Sequence, residues 1–99
     1  MADLNSDLRM AVDSGEVVLG IEETTRAINV SRAKLVIVSA VGNEGSVSDL
    51  THICGIAGVK LLKFAGNSMD LGAVCGKPYS VSSLAVIEAG HSKILEEEY

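Results

Sequence analysis

Lys34-Leu35-Val36-Ile37-Val38-Ser39-Ala40-Val41 is the stretch on which the fold turns. Its apolar residues run almost without a break and do not alternate with polar ones. That pattern reads as a central strand covered on both faces, so a helical layer is needed on each side. The sequence to either side supplies candidates for both layers.

Toward the amino terminus, Leu4, Leu8, Ala11 and Val12 recur at helical spacing, with Asp3 as an N-cap and Gly15 placed for a left-handed C-cap. Glu16 to Leu19 form a short β-branched strand that stops at Gly20, and Glu22 to Asn29 open as a helix with two acids at the positive end of its dipole. Toward the carboxyl terminus, Gly42-Asn43-Glu44-Gly45 reads as a loop. Ser46 with Asp49 resembles a capping box for a third helix, whose apolar face is Val47, Leu50, Ile53, Cys54 and Ala57 and whose end is Gly58. Val59 to Phe64 give another strand, and Asn67 with Asp70 begins a short helix through Val74. Gly76, Lys77 and Pro78 interrupt the pattern. Ser80 to Ile87 give a last strand, after which Gly90, one more helical turn and the acidic run Glu96 to Glu98 follow.

The order αβαβαβαβ, without repeat or linker, predicts one α/β domain over residues 1–99 built as a three-layer αβα sandwich. Ligands on such sheets gather at the loops of one rim, which directs attention to Gly20 and to Val41 through Gly45.

Composition agrees with that architecture but argues against an obvious function. Of the 99 residues 47% are hydrophobic and only 3% aromatic, so aliphatic side chains must build the core. The net charge of −5 is the wrong sign for a typical nucleic-acid binder, because phosphate neutralisation ordinarily supplies most of the affinity. No apolar run approaches the roughly 18 residues of a membrane span, and Asp3 and Asp7 stand where a secretory signal would be basic. A soluble, cytoplasmic protein without a membrane partner is expected. Cys54 and Cys75 belong to no metal-ligand or redox spacing and read as buried thiols.

Catalytic motifs are missing. Gly72 and Gly76 are too close for a phosphate-binding loop, and Pro78 occupies the place of its magnesium-binding hydroxyl. His52 and His91 have no nucleophile or acid partner in sequence, and the Glu22–Glu23 pair is the ordinary acidic start of a helix. Neither an enzyme nor a cofactor, metal or small-molecule substrate is expected.

Lys34-Leu-Val-Ile-Val-Ser, the Gly20 turn and above all Asn67-Ser-Met-Asp-Leu-Gly-Ala-Val-Cys-Gly-Lys-Pro-Tyr-Ser-Val-Ser-Ser-Leu-Ala-Val-Ile resemble the L-thirty-e ribosomal proteins. The resemblance runs from about Leu8 to Leu95, and Leu71 to Pro78 looks more archaeal than eukaryotic. It implies a mixed four-stranded sheet whose last strand runs antiparallel to the others. It also implies a partner, a kink-turn in the ribosomal RNA of the large subunit, held by three loops on one rim, and a protein that is monomeric when free.

Carried over by position, the resemblance places Gly20 where bare backbone meets RNA, followed by Ile21 and then by Glu22 and Glu23, where the ribosomal family is usually basic or amide. Glu23 would accept hydrogen bonds from a guanine edge in a sheared G·A pair. Arg26 reads either as a phosphate contact or as an ordinary exposed arginine. In the second loop Val41 stands where Asn or Asp is usual, followed by Gly42, with Asn43 two places on. The third loop, Lys77, Pro78, Tyr79, Ser80 and Val81, keeps the family pattern and would pack on a base or sugar, although Tyr79 also suits the edge of the core. The acidic charge, Glu22 and Val41 leave a second reading open: a protein-interaction module on the same fold with weakened RNA binding.

Overall fold

A computed structural model describes residues 3–41, 44–96 and 99. Its elements are α1 (Leu4–Ser14), β1 (Glu16–Leu19), α2 (Ile21–Asn29), β2 (Leu35–Ser39), α3 (Glu44–Ala57), β3 (Lys60–Phe64), α4 (Ser68–Val74) and β4 (Ser83–Glu88). All five β2 residues are buried. The strand lies inside a sheet of order β1-β4-β2-β3, in which it pairs parallel with β3 and antiparallel with β4, while β4 pairs antiparallel with β1. The sheet is therefore mixed, with β4 the reversed strand.

Strand parity sorts the core into two halves. Leu35 and Ile37 of β2 with Leu84 and Val86 of β4 face Leu8 and Ala11 of α1 and Leu71 of α4. Val36, Val38, Ala85 and Ile87 point the other way, against Ala27 and Ile28 of α2 and Leu50 and Cys54 of α3. Each fully buried aliphatic side chain contributes roughly 1.5 to 3 kcal/mol. Leu8, Ile37, Leu50, Leu71 and Leu84 are all fully buried, so both halves are stabilised in this way and three layers result. Cys75 is in the first half and Cys54 in the second, so the sheet separates the two thiols. Burial raises the pKa of both; near Cys75 the positive charges of Lys77 and Arg9 oppose the shift.

Local signals set the starts of α1 and α4. The Asp3 side chain accepts from the Ser6 backbone N–H at 3.4 Å at the start of α1. Asn67 and Asp70 form a reciprocal capping box at α4, with the Asn67 side chain accepting from the Asp70 N–H at 2.9 Å and the Asp70 carboxylate accepting from the Asn67 N–H at 3.2 Å. Three expectations are corrected. Gly15 closes α1 with an extended backbone, φ −113°, not a left-handed one; a Cβ there would lie 2.1 Å from the Glu88 carbonyl oxygen, so close packing against β4 requires the glycine. Helix α3 begins at Glu44, which puts Ser46 inside the helix and leaves it no capping role. The stripe Val47, Leu50 and Cys54 holds that helix to the sheet, and packing outweighs the local preference of Gly45 for a loop. Strand β4 begins at Ser83, not Ser80, because the Val81 N–H donates to the Ser68 carbonyl of α4 at 2.9 Å and is taken out of the ladder.

Candidate nucleic-acid interface

Because β4 runs opposite to its neighbours, its entrance lies level with the exits of β1 and β2. Backbone hydrogen bonds tie these points together. The Gly20 N–H donates to the Ser83 carbonyl at 2.8 Å, and the Ser39 N–H donates to the Ser82 carbonyl at 2.9 Å. The Ala40 N–H donates to the Phe64 carbonyl at 3.1 Å, which brings the exit of β3 to the same rim. Four connections meet there: Gly20, Ala40–Val41, Ala65–Asn67 and Ser80–Ser82.

Gly20 is the sharpest feature of the rim. Its backbone, φ 98° and ψ 158°, lies in a region essentially restricted to glycine, and a Cβ placed on it would have nothing within 4 Å. It caps α2 without a side chain, so the turn combines bare backbone with open space. Just below it, the Thr24 N–H donates to the Gly20 carbonyl at 2.9 Å. The Thr24 and Ser83 side chains are fully buried beneath this turn, and neither hydroxyl has a hydrogen-bond partner among the described residues.

Of the residues expected at the site, Ile21, Glu22, Glu23 and Arg26 are exposed on the first turns of α2. Arg26 donates to the Glu23 carboxylate at 3.2 Å, a surface ion pair worth little for stability but one that occupies the only described cation of α2. Val41 is 58% exposed, whereas Gly42 and Asn43 lie outside the described residues.

The third connection divides. Pro78, Tyr79 and Ser80 are exposed, and Tyr79 stands 53% in solvent, so its ring is largely available for contact. Val81 is a core residue, 2% exposed, with its N–H engaged by α4. Lys77 follows the C-terminal end of α4, where its charge and that of Arg9 both act on Cys75 and where Arg9 packs against Gly76. The connection is held against α4 at Gly72, where a Cβ would come within 2.0 Å of the Tyr79 carbonyl oxygen.

Two rim features were not singled out from sequence. Met69, 62% exposed, stands at the start of α4, and with Ile21, Val41 and Tyr79 it gives the rim four exposed apolar side chains. Lys63, exposed on β3, is the other. Both would have followed from recognising that a strand parallel to β2 must end on the same rim.

The assembled surface combines the exposed apolar side chains Ile21, Val41, Met69 and Tyr79 with the carboxylates Glu22 and Glu23 at one side. Residues 2–96 match the model of the Ribosomal protein L7Ae/L30e/S12e/Gadd45 family. The chain belongs to this family. Curated relatives from the L30e branch are similar over nearly their whole length. The chain is 35% identical to "Large ribosomal subunit protein eL30" of Methanobrevibacter smithii over 98% of both chains. With the protein of that name from Methanospirillum hungatei it shares 41% identity over 94% of this chain and 95% of the relative. A solved structure of a Bacillus halodurans protein described as of unknown function superposes with a TM-score of 0.81 at 25% identity, covering 97% of this chain and 95% of that one. The L7Ae/L30e/S12e/Gadd45 fold is thus shared in full, and these relatives are named as ribosomal proteins, a non-enzyme family.

Proposed function

We propose that this protein is a structural constituent of the large ribosomal subunit that holds a kink-turn of ribosomal RNA against the rim formed by the Gly20 turn, the Val41 connection and the Tyr79–Ser80 connection. The observation that carries the reading is the pair of backbone bonds from Gly20 to Ser83 and from Ser39 to Ser82, which fasten three separate connections into one surface. The near full-length similarity to eL30 proteins supports the ribosomal setting. RNA would be read by shape and apolar contact, with Glu23 accepting from a guanine edge and the ring of Tyr79 packing on a base or sugar.

Binding to a short kink-turn RNA tests the reading, beside the same RNA without its G·A pairs. The intact RNA should bind more tightly, with a shallow salt dependence because few cations line the rim. Glu23→Ala should weaken binding by about 1 to 3 kcal/mol. The sign discriminates, since a carboxylate that merely faces phosphate would, on removal, leave binding unchanged or tighter. Equal binding of the two RNAs, or recovery only with a basic protein partner, would instead favour the protein-interaction module to which the net charge of −5 points.

A further inference from the structure

We propose that the RNA interface continues past the rim onto the flank of β3, where Lys63, with His52 beside it, takes a backbone phosphate of the bound RNA. The inference rests on the function proposed above and adds a contact outside its three loops. Strand parity gives the direction: Leu61 packs with the α2/α3 half of the core and Leu62 with the α1/α4 half, so Lys63 returns to the α3 side. Its register partner is Val38, which also pairs with Ser83, so Lys63 lies one residue short of the rim. There it lines an open groove with Ala40, Glu44, Ser48 and His52. Ala40 adjoins Val41, so the groove opens directly onto the second connection.

The balance of charge favours a phosphate. Arg9, Arg26 and Arg32 are each engaged with a carboxylate, of Asp13, Glu23 and Glu16 respectively. Lys63 makes no ion pair among the described residues, although Glu44 lines the same groove. It is thus a cation beside the rim whose charge is available to an incoming anion, with the Ser48 hydroxyl and the His52 ring as further polar groups. Lysines on edge strands also guard against strand pairing between molecules, and Lys63 lies on the edge strand β3. Lys60 shares that guarding position and that exposure but stands at the opposite end of the strand. It is therefore a built-in control.

Titration of a short kink-turn RNA against the full chain, Lys63→Gln, Lys60→Gln and Glu44→Gln, each across a range of salt, separates the possibilities. Lys63→Gln should weaken binding several-fold at low salt and reduce the magnitude of the salt slope by about 1. Lys60→Gln should leave both nearly unchanged, and Glu44→Gln should tighten binding by relieving repulsion in the groove. Melting curves of the variants should overlay, since the substituted side chains are exposed. Equal effects of Lys63→Gln and Lys60→Gln, or an unaltered slope, would overturn the phosphate contact while leaving the three-loop reading intact. Failure of the unsubstituted chain to bind would overturn both.

Discussion

Replacing Gly20 with alanine separates backbone geometry from packing. A Cβ at Gly20 meets nothing within 4 Å, and the same holds at Gly55 in α3, so neither substitution creates a clash. The two positions differ in conformation: Gly20 has φ 98° and ψ 158°, and Gly55 is helical. Holding an alanine in the Gly20 conformation costs about 1 to 3 kcal/mol, offset by about 0.4 to 1 kcal/mol from the smaller entropy of the unfolded chain. With an unfolding entropy of about 2.1 cal/mol/K per residue, a chain of this length loses roughly 5 °C of melting temperature per kcal/mol. The net cost of about 0 to 2.6 kcal/mol means that Gly20→Ala should melt up to about 13 °C lower. Gly55→Ala should gain up to about 1 kcal/mol from helix propensity and melt slightly higher. Thermal melts followed by circular dichroism read both in one experiment. If Gly20→Ala is as stable as Gly55→Ala, the turn relaxes freely and its backbone angle does not shape the rim.

Other consequences follow from packing and burial. Gly72→Ala would drive a methyl group to 2.0 Å from the Tyr79 carbonyl oxygen, so it should lower the urea midpoint by the equivalent of about 1 to 3 kcal/mol; an unshifted midpoint would mean that the third connection is not held by α4. Cys54 and Cys75 lie on opposite faces of the sheet, so mild oxidation of the folded protein should yield no intramolecular disulfide by non-reducing mass analysis. Both thiols have raised pKa values through burial, and the unfolded chain therefore loses these protons first. Their contribution to stability should be constant below about pH 8.5 and decline as pH rises through the folded values. Urea titrations at neutral and alkaline pH should show a smaller decline in Cys54→Ala than in the parent; an equal decline would assign the loss to other groups.

Legibility differed between elements for physical reasons. The Asp3 cap and the Asn67–Asp70 capping box are local interactions within one helical turn, and they stand where the residues indicated. The two errors of boundary, at Glu44 and Ser83, arose where long-range forces decided: the packing of Val47, Leu50 and Cys54 in one case, the bond from Val81 to Ser68 in the other. The candidate site divides in the same way. Gly20, Glu23 and Tyr79 were legible as a turn, a helix start and an exposed aromatic. The burial of Val81, the grouping of Lys77 with Arg9 and the engagement of Arg26 by Glu23 depend on neighbours that no spacing reveals.

The stretch from Lys34 to Val41 was enough, by itself, to require helices on both faces, because a strand with apolar side chains pointing both ways must be covered twice. Residue pattern alone likewise determined the order of elements and, by resemblance, the family. Which loops share a rim was decided only in three dimensions. That outcome depends on the antiparallel insertion of β4 between β1 and β2, where hydrogen bonds link residues more than forty positions apart. Lys63 comes to lie one residue from that rim through its register with Val38, a relation set by the pairing of whole strands.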